Sequence, residues 1–230
     1  MDSSSSSLNC MSTRFRLLPL ITLLLLSTSS AQVPSAGEPE CNKQGIGKLQ
    51  LSKADVTILG LTIGTTSLKD VKAKLGQTGS LPTHGRSTTI CYVSPTDGTV
   101  LTFGASGMGG FEDVTEFEIW SREAKFPSVS ACTPQKLISH SLTTASGIRL
   151  GLTAKQLSAI VGALPKSRNA VTQYQLSCRQ KMTAEEIKGF KTANNWDVSE
   201  NPYFDVTSFV EAHFINSEVS RISVAKIESY

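Results

Sequence analysis

Leu68, Val71 and Leu75 in the stretch SLKDVKAKLG stand three and four residues apart, and so do Leu157, Ile160 and Leu164 in AKQLSAIVGALP. That spacing places each trio on one face of a helix. Both segments carry helix start signals. Ser67 and Asp70 in the first, and Thr153 and Gln156 in the second, have the three-residue offset of a capping box. Gly76 and Pro165 supply the stops. After each helix the pattern switches to a period of two. STTICYVS, TVLTF and EDVTEFEIW follow the first helix; VTQYQLSC, SFVEAHFIN and SEVSRISVAKI follow the second. Apolar alternation of this kind predicts half-buried antiparallel strands.

The two halves also correspond in detail. A shift of 91 residues superposes Cys41 on Cys132, Gln44 on Gln135, Leu51 on Leu142 and the Leu-Gly-Leu-Thr at Leu59 on the one at Leu150. Val114, Thr115, Phe117 and Ile119 align with Val219, Ser220, Ile222 and Val224. The expected fold is therefore α+β, in two duplicated units of residues 32–128 and 129–230, each a short helix plus a small antiparallel meander sheet, packed side by side around one shared sheet system.

Each half departs from this plan once. In the first, the glycine-rich FGASGMGGFED makes a long hairpin loop carrying Met108 and Phe111, where the second half turns in about three residues, INS. This loop lacks the Lys-Ser/Thr ending of a phosphate loop and leads into no helix. In the second half, a helical and aromatic insert spans 179–205. MTAEEIKGF has its own capping box, Thr183 with Glu186, and NNWDVSENPYFD brings Trp196, Tyr203 and Phe204. Residues present in only one half are free to serve a partner, which makes Trp196, Tyr203, Phe204, Met108 and Phe111 the candidate binding set. For Trp196 and Phe204 a second role is open, packing the inserted helix onto the sheet.

Residues 1–31 read as a cleaved signal peptide, with Arg14 and Arg16 ahead of the apolar LLPLITLLLL and small residues at Ser29 and Ala31. Met11 is an alternative start. The apolar core is too short for a membrane span, which needs roughly 20 residues. The mature chain would be secreted or periplasmic, with no membrane association after cleavage. It keeps 20 basic and 18 acidic residues, a net charge of +2, without the clustered excess of a nucleic-acid binder.

Cys10 leaves with the signal. Cys41, Cys91, Cys132 and Cys178 enter an oxidising compartment, where an even number implies disulfide bonds. If each unit is self-contained, the bridges run Cys41 to Cys91 and Cys132 to Cys178.

Gly-Leu-Thr followed within a few residues by Leu-x-x-Val or Leu-x-x-Ile, at Gly60–Val71 and Gly151–Ile160, resembles the helix entry of two groups. One is the β-lactamase inhibitor protein family, a tandem of helix-plus-sheet domains that presents a concave sheet to its target. The other is the BamE family of outer-membrane assembly lipoproteins, whose anchoring cysteine is absent here. The resemblance implies a protein partner.

Chemistry is sparse. His84, His140 and His213 never stand at the spacing of a helical metal pair, and with the cysteines bridged no thiolate nucleophile remains. Glu211 and His213 share one face of a strand, either as solvent-facing neighbours or as a general acid/base pair. No catalytic residue, metal site or cofactor is assigned. The expected function is an exported, non-catalytic binding or inhibitor-like module acting on a protein. The alternatives are a small hydrolase-like enzyme or an envelope assembly factor, and the oligomeric state is open.

Overall fold

The computed structural model describes residues 39–42, 48–82, 87–106, 112–168, 171–194 and 197–230. The proposed signal segment, His84, the loop residues Met108 and Phe111, and Trp196 lie outside them.

The elements run in chain order β1 (Thr57–Ile58), β2 (Leu61–Thr62), α1 (Leu68–Leu75), β3 (Ser87–Val93), β4 (Val100–Ser106), β5 (Glu116–Trp120) and β6 (Thr133–Pro134), then α2 (Ala154–Val161), β7 (Lys166–Arg168), β8 (Val171–Lys181), α3 (Ala184–Asn194), β9 (Tyr203–Ile215) and β10 (Glu218–Ser229). The helices start where their caps predict. Ser67 and Asp70 close a reciprocal capping box on α1, Thr153 and Gln156 on α2. On α3, Thr183 Oγ1 accepts from the Glu186 amide at 3.2 Å, and the Glu186 carboxylate accepts from the Thr183 amide at 2.6 Å.

The expectation of two duplicated units, each a helix plus a small meander sheet, is corrected. Apart from the two-stranded β1–β2 hairpin, the strands form one eight-stranded sheet in the order β6-β3-β4-β5-β10-β9-β8-β7. It is antiparallel except where β6 lies parallel to β3. The halves fuse along β5 and β10, with Ile119 opposite Ile222 and Phe117 opposite Val224. A meander that ended at β5 would leave a row of bare N–H and C=O groups, and pairing with β10 satisfies them. The shared Leu-Gly-Leu-Thr is likewise not one unit used twice. In the first half Leu59 and Gly60, both at positive φ, turn the β1–β2 hairpin, whereas in the second it runs directly into the Thr153 cap.

One face of the sheet carries the core. Ile90, Phe103, Phe117, Ile119, Val210, Ile222 and Val224 are buried there with Leu68, Val71 and Leu75 of α1 and Leu157 and Val161 of α2. Two buried tyrosines fix the helices to this face. Tyr92 on β3 donates to the carbonyl of Gly76, just past α1, at 2.8 Å. Tyr174 on β8 meets Ser158 of α2, hydroxyl to hydroxyl, at 2.9 Å. Helix α3 sits on the same face, with Phe190 against Phe204 of β9 and Tyr230.

All four cysteines of the expected mature chain are bridged, but the expected pairing is also corrected. Cys41 bonds Cys178 and Cys91 bonds Cys132, so both bridges cross between the halves. The reason lies at the sheet edges. Cys91 stands on β3, and Cys132 immediately precedes the edge strand β6 that pairs with β3. Cys178 stands on β8, and Cys41 belongs to a segment that adds to β8 through its amide and the Arg179 carbonyl at 2.9 Å. Each bridge staples an edge cover to the strand beneath it. Among the described residues, no helix is long and apolar enough to cross a membrane.

Three expectations follow from these contacts. Peptide mapping without reduction should return the pairs Cys41–Cys178 and Cys91–Cys132. Replacing Cys91 and Cys132 by serine should cost about 4 kcal/mol in the chain-entropy account of a bridge closing 41 residues, measured by denaturant unfolding. Burial pushes the Tyr92 phenol up to about 12. The folded chain therefore holds that proton more tightly than the unfolded chain, whose phenols ionise near pH ~10. The stability that this group contributes is fully present below pH ~10 and is lost as pH rises toward 12. Tyr92→Phe should lose about 1 kcal/mol at neutral pH and show a shallower alkaline decline, which urea unfolding at two pH values would reveal.

Candidate functional site

Strand alternation turns the residues between the core positions to the opposite face, away from the three described α-helices. Register carries those side chains across the sheet in rows. One row reads Val100, Trp120, Arg221, His213 on β4, β5, β10 and β9. The next reads Thr102, Glu118, Ser223, Glu211, ending in Gln173 of β8. A third reads Gly104, Glu116, Ala225, Phe209. Most of the side chains at the centre of these rows are half-buried, neither packed away nor freely solvated.

The centre of this open face is an ordered network. Arg221 donates to Glu118 Oε1 at 2.7 Å, and Trp120 Nε1 donates to Glu118 Oε2 at 2.7 Å. The Arg221 guanidinium also lies over the Trp120 ring, 4.0 Å from its centroid. Phe126 meets Trp120 edge-on at 5.2 Å and belongs to the small apolar cluster around Cys91 and Cys132. The bridge thus braces the network from one side. Further along, Gln173 donates to Glu211 Oε1 at 2.9 Å.

Glu116 is the unusual member. No hydrogen bond or ion pair reaches its carboxylate among the described residues, and it lies over Gly104 of the neighbouring strand. A Cβ at 104 would overlap the Glu116 side chain, so glycine in mid-strand here makes room for a side chain. Burial pushes the Glu116 carboxyl up, Glu118 and Glu211 add to the rise, and Arg221 only partly opposes it. The His213 imidazole is held low by burial and then by Arg221, against the opposing pull of Glu211 and Glu118. It is therefore neutral at pH 7. No hydrogen bond joins His213 to Glu211 or to Ser223 among the described residues. Nor does any group of three His, Cys, Asp or Glu among them form a metal cage.

The aromatic residues expected from the sequence divide. Adjacent positions on β9 send Tyr203 and Phe204 to opposite faces. Tyr203 donates to Glu40 at 3.0 Å and lies under Arg179, whose guanidinium is 4.6 Å from the ring centroid. Phe204 joins Phe190 and Tyr230 on the helix side, lining a cavity of about 520 Å³. Glu211 and His213 do share the open face. Trp120, Glu116, Glu118 and Arg221 were not singled out from the sequence. The available signal was EFEIW, where Glu116, Glu118 and Trp120 form one stripe and Phe117 and Ile119 the other.

No protein-family model, no curated protein and no solved structure matches the chain.

Removing the unpaired carboxylate should stabilise the fold. A carboxyl whose folded-state pKa is raised contributes stability only below the ordinary carboxylate range, and that contribution is lost as pH rises through the folded value. Glu116→Gln should therefore gain up to about 1 kcal/mol at neutral pH, the range for like charges on a sheet face. Thermal unfolding at neutral pH and near pH ~4 would check it, with the gain shrinking in acid.

Proposed function

We propose that this chain is an exported, non-catalytic module that binds a protein partner through the open face of its sheet, as an inhibitor or adaptor does. The observation that carries the reading is the Trp120–Glu118–Arg221 network. It is held in place by three mutual contacts and a flanking disulfide, yet it stands on the face away from the three described α-helices. Tryptophan and arginine are the residue types most enriched where interfaces concentrate their binding energy, because they bury much area with few torsions to freeze. Pre-ordering them lowers the cost of binding further. Export is supported by the signal-like pattern of residues 1–31 and by two disulfides, which persist in oxidising compartments. The motif resemblance to the β-lactamase inhibitor protein family supports the same class of partner.

The test is retention of partners from the exported fraction on immobilised chain. Trp120→Ala and Arg221→Ala should each weaken retention of a saturably bound protein at least tenfold, while Lys155→Ala on the exposed side of α2 leaves it unchanged. Circular dichroism would confirm that the variants are folded. Retention lost with Lys155→Ala but kept with Trp120→Ala and Arg221→Ala would place the interface on the helix side and end the reading.

A further inference from the structure

The helix face of β10 changes character partway along. Ile222 and Val224 are fully buried in the core, and the next two positions on that face are Lys226 and Glu228. These two pair with one another, Lys226 Nζ to Glu228 Oε1 at 2.8 Å. Nearby on the same face, Phe190 of α3 touches both Phe204 of β9 and Tyr230, with ring centroids 5.8 and 5.3 Å apart. None of the three rings is buried, and Tyr230 is 51 % exposed.

Each feature is unfavourable by itself. A charged pair drawn partly out of water gives up hydration, and touching apolar rings left wet forgo part of the gain of burial. Both border the same cavity, whose volume of about 520 Å³ falls within the ~300–1,000 Å³ of small-ligand sites. Strand order gives this cavity two unlike sides. The sheet runs β4, β5, β10, β9, so Asp113 and Thr115, just before β5, border one side and Phe204 the other, with Lys226 and Glu228 between them. The Lys226 amide donates to the Thr115 carbonyl at 3.0 Å, which fixes the polar side to β10.

We propose that this cavity is a binding site for a neutral saccharide built of pyranose rings, separate from the open face of the sheet and independent of its role. The faces of a pyranose carry C–H groups of slight positive charge, which pack against the electron-rich faces of aromatic rings. Its hydroxyls each donate and accept. Lys226 supplies donors, Glu228 and Asp113 supply acceptors, and neighbouring hydroxyls of one ring can bridge the lysine–glutamate pair through charge-assisted hydrogen bonds. A wholly apolar guest would shut the charged pair away from water without replacing it. An anionic guest would meet two carboxylates and one ammonium that Glu228 already engages. Asp113 is exposed, so water meets its charge and no cation is called for.

The probes are methyl β-glucoside, maltose, cellobiose and N,N′-diacetylchitobiose, each titrated into the purified, isotopically labelled protein and followed by amide shifts, with 1-octanol as the apolar comparison. At least one saccharide should shift the amides of Phe190, Phe204 and Tyr230 saturably. Tyr230→Ala and Glu228→Gln should each weaken that binding at least tenfold, while Lys155→Ala leaves it unchanged. Both altered side chains are exposed, so the variants should remain folded, which circular dichroism checks. No saturable shift with any of the saccharides would overturn the proposal, and so would binding that both variants leave intact. If 1-octanol saturated the same amides and the saccharides did not, the cavity would be a lipid site and the proposal would fall. Saccharide shifts confined to Trp120 and Arg221 would place the sugar on the open face and count equally against it.

Discussion

Each meander of three strands ends in a strand with a bare edge, and the antiparallel pairing of those two edges, Glu116–Trp120 on Arg221–Ala225, makes one sheet of the molecule. Hydrogen-bonding groups at a sheet edge must find partners or water, and here each half supplies the other. The consequences run in both directions from the seam. On one side, Ile119 beside Ile222 and Phe117 beside Val224 join the apolar surfaces under α1 and α2 into a single core. On the other, Arg221 comes to lie beside Trp120, and Glu118 beside Ser223. The open-face network exists because of that register, and a slip of one residue would send its members into the core.

The disulfides act at the far ends of the same sheet. β3 and β8 each need a cover for their outer edge, and each receives a short segment held by a bridge. The chain crosses over to provide them. The cysteine leading the first half clips the second half's strand, and the cysteine leading the second half clips the first half's strand. Such bridges restrict the unfolded chain over long loops, and they also bind the two halves to one another at both borders. The Cys91–Cys132 bridge has a further effect through Phe126, which it holds against Trp120. Edge protection and site rigidity thus share one covalent link.

Local grammar was legible in the sequence, and long-range register was not. Ser67 with Asp70, Thr153 with Gln156 and Thr183 with Glu186 each announce a helix start within four residues, because capping is settled inside one turn. The strands were equally readable from alternation. The seam was not, since EFEIW and SRISV alternate identically whether their edges meet water or each other. Matching leading cysteines suggested bridges within each half, but which thiols meet depends on where the edge covers lie, a matter of topology. At the site, Glu211 and His213 were visible as strand neighbours. The role of Gly104 was invisible, because a glycine in a strand acquires meaning only once Glu116 is known to lie across it.

One sheet carries a single core under its helices on one face and the ordered Trp120–Glu118–Arg221 network on the other. That account stands or falls with the seam between β5 and β10. Backbone nuclear Overhauser contacts between residues 117–119 and 222–224, recorded on the isotopically labelled protein, test it most directly. The structure predicts strong cross-strand contacts there and slow amide exchange along both strands. Intact contacts within β3–β4–β5 and within β8–β9–β10, but none across the seam and rapid exchange at Glu116–Trp120, would contradict it.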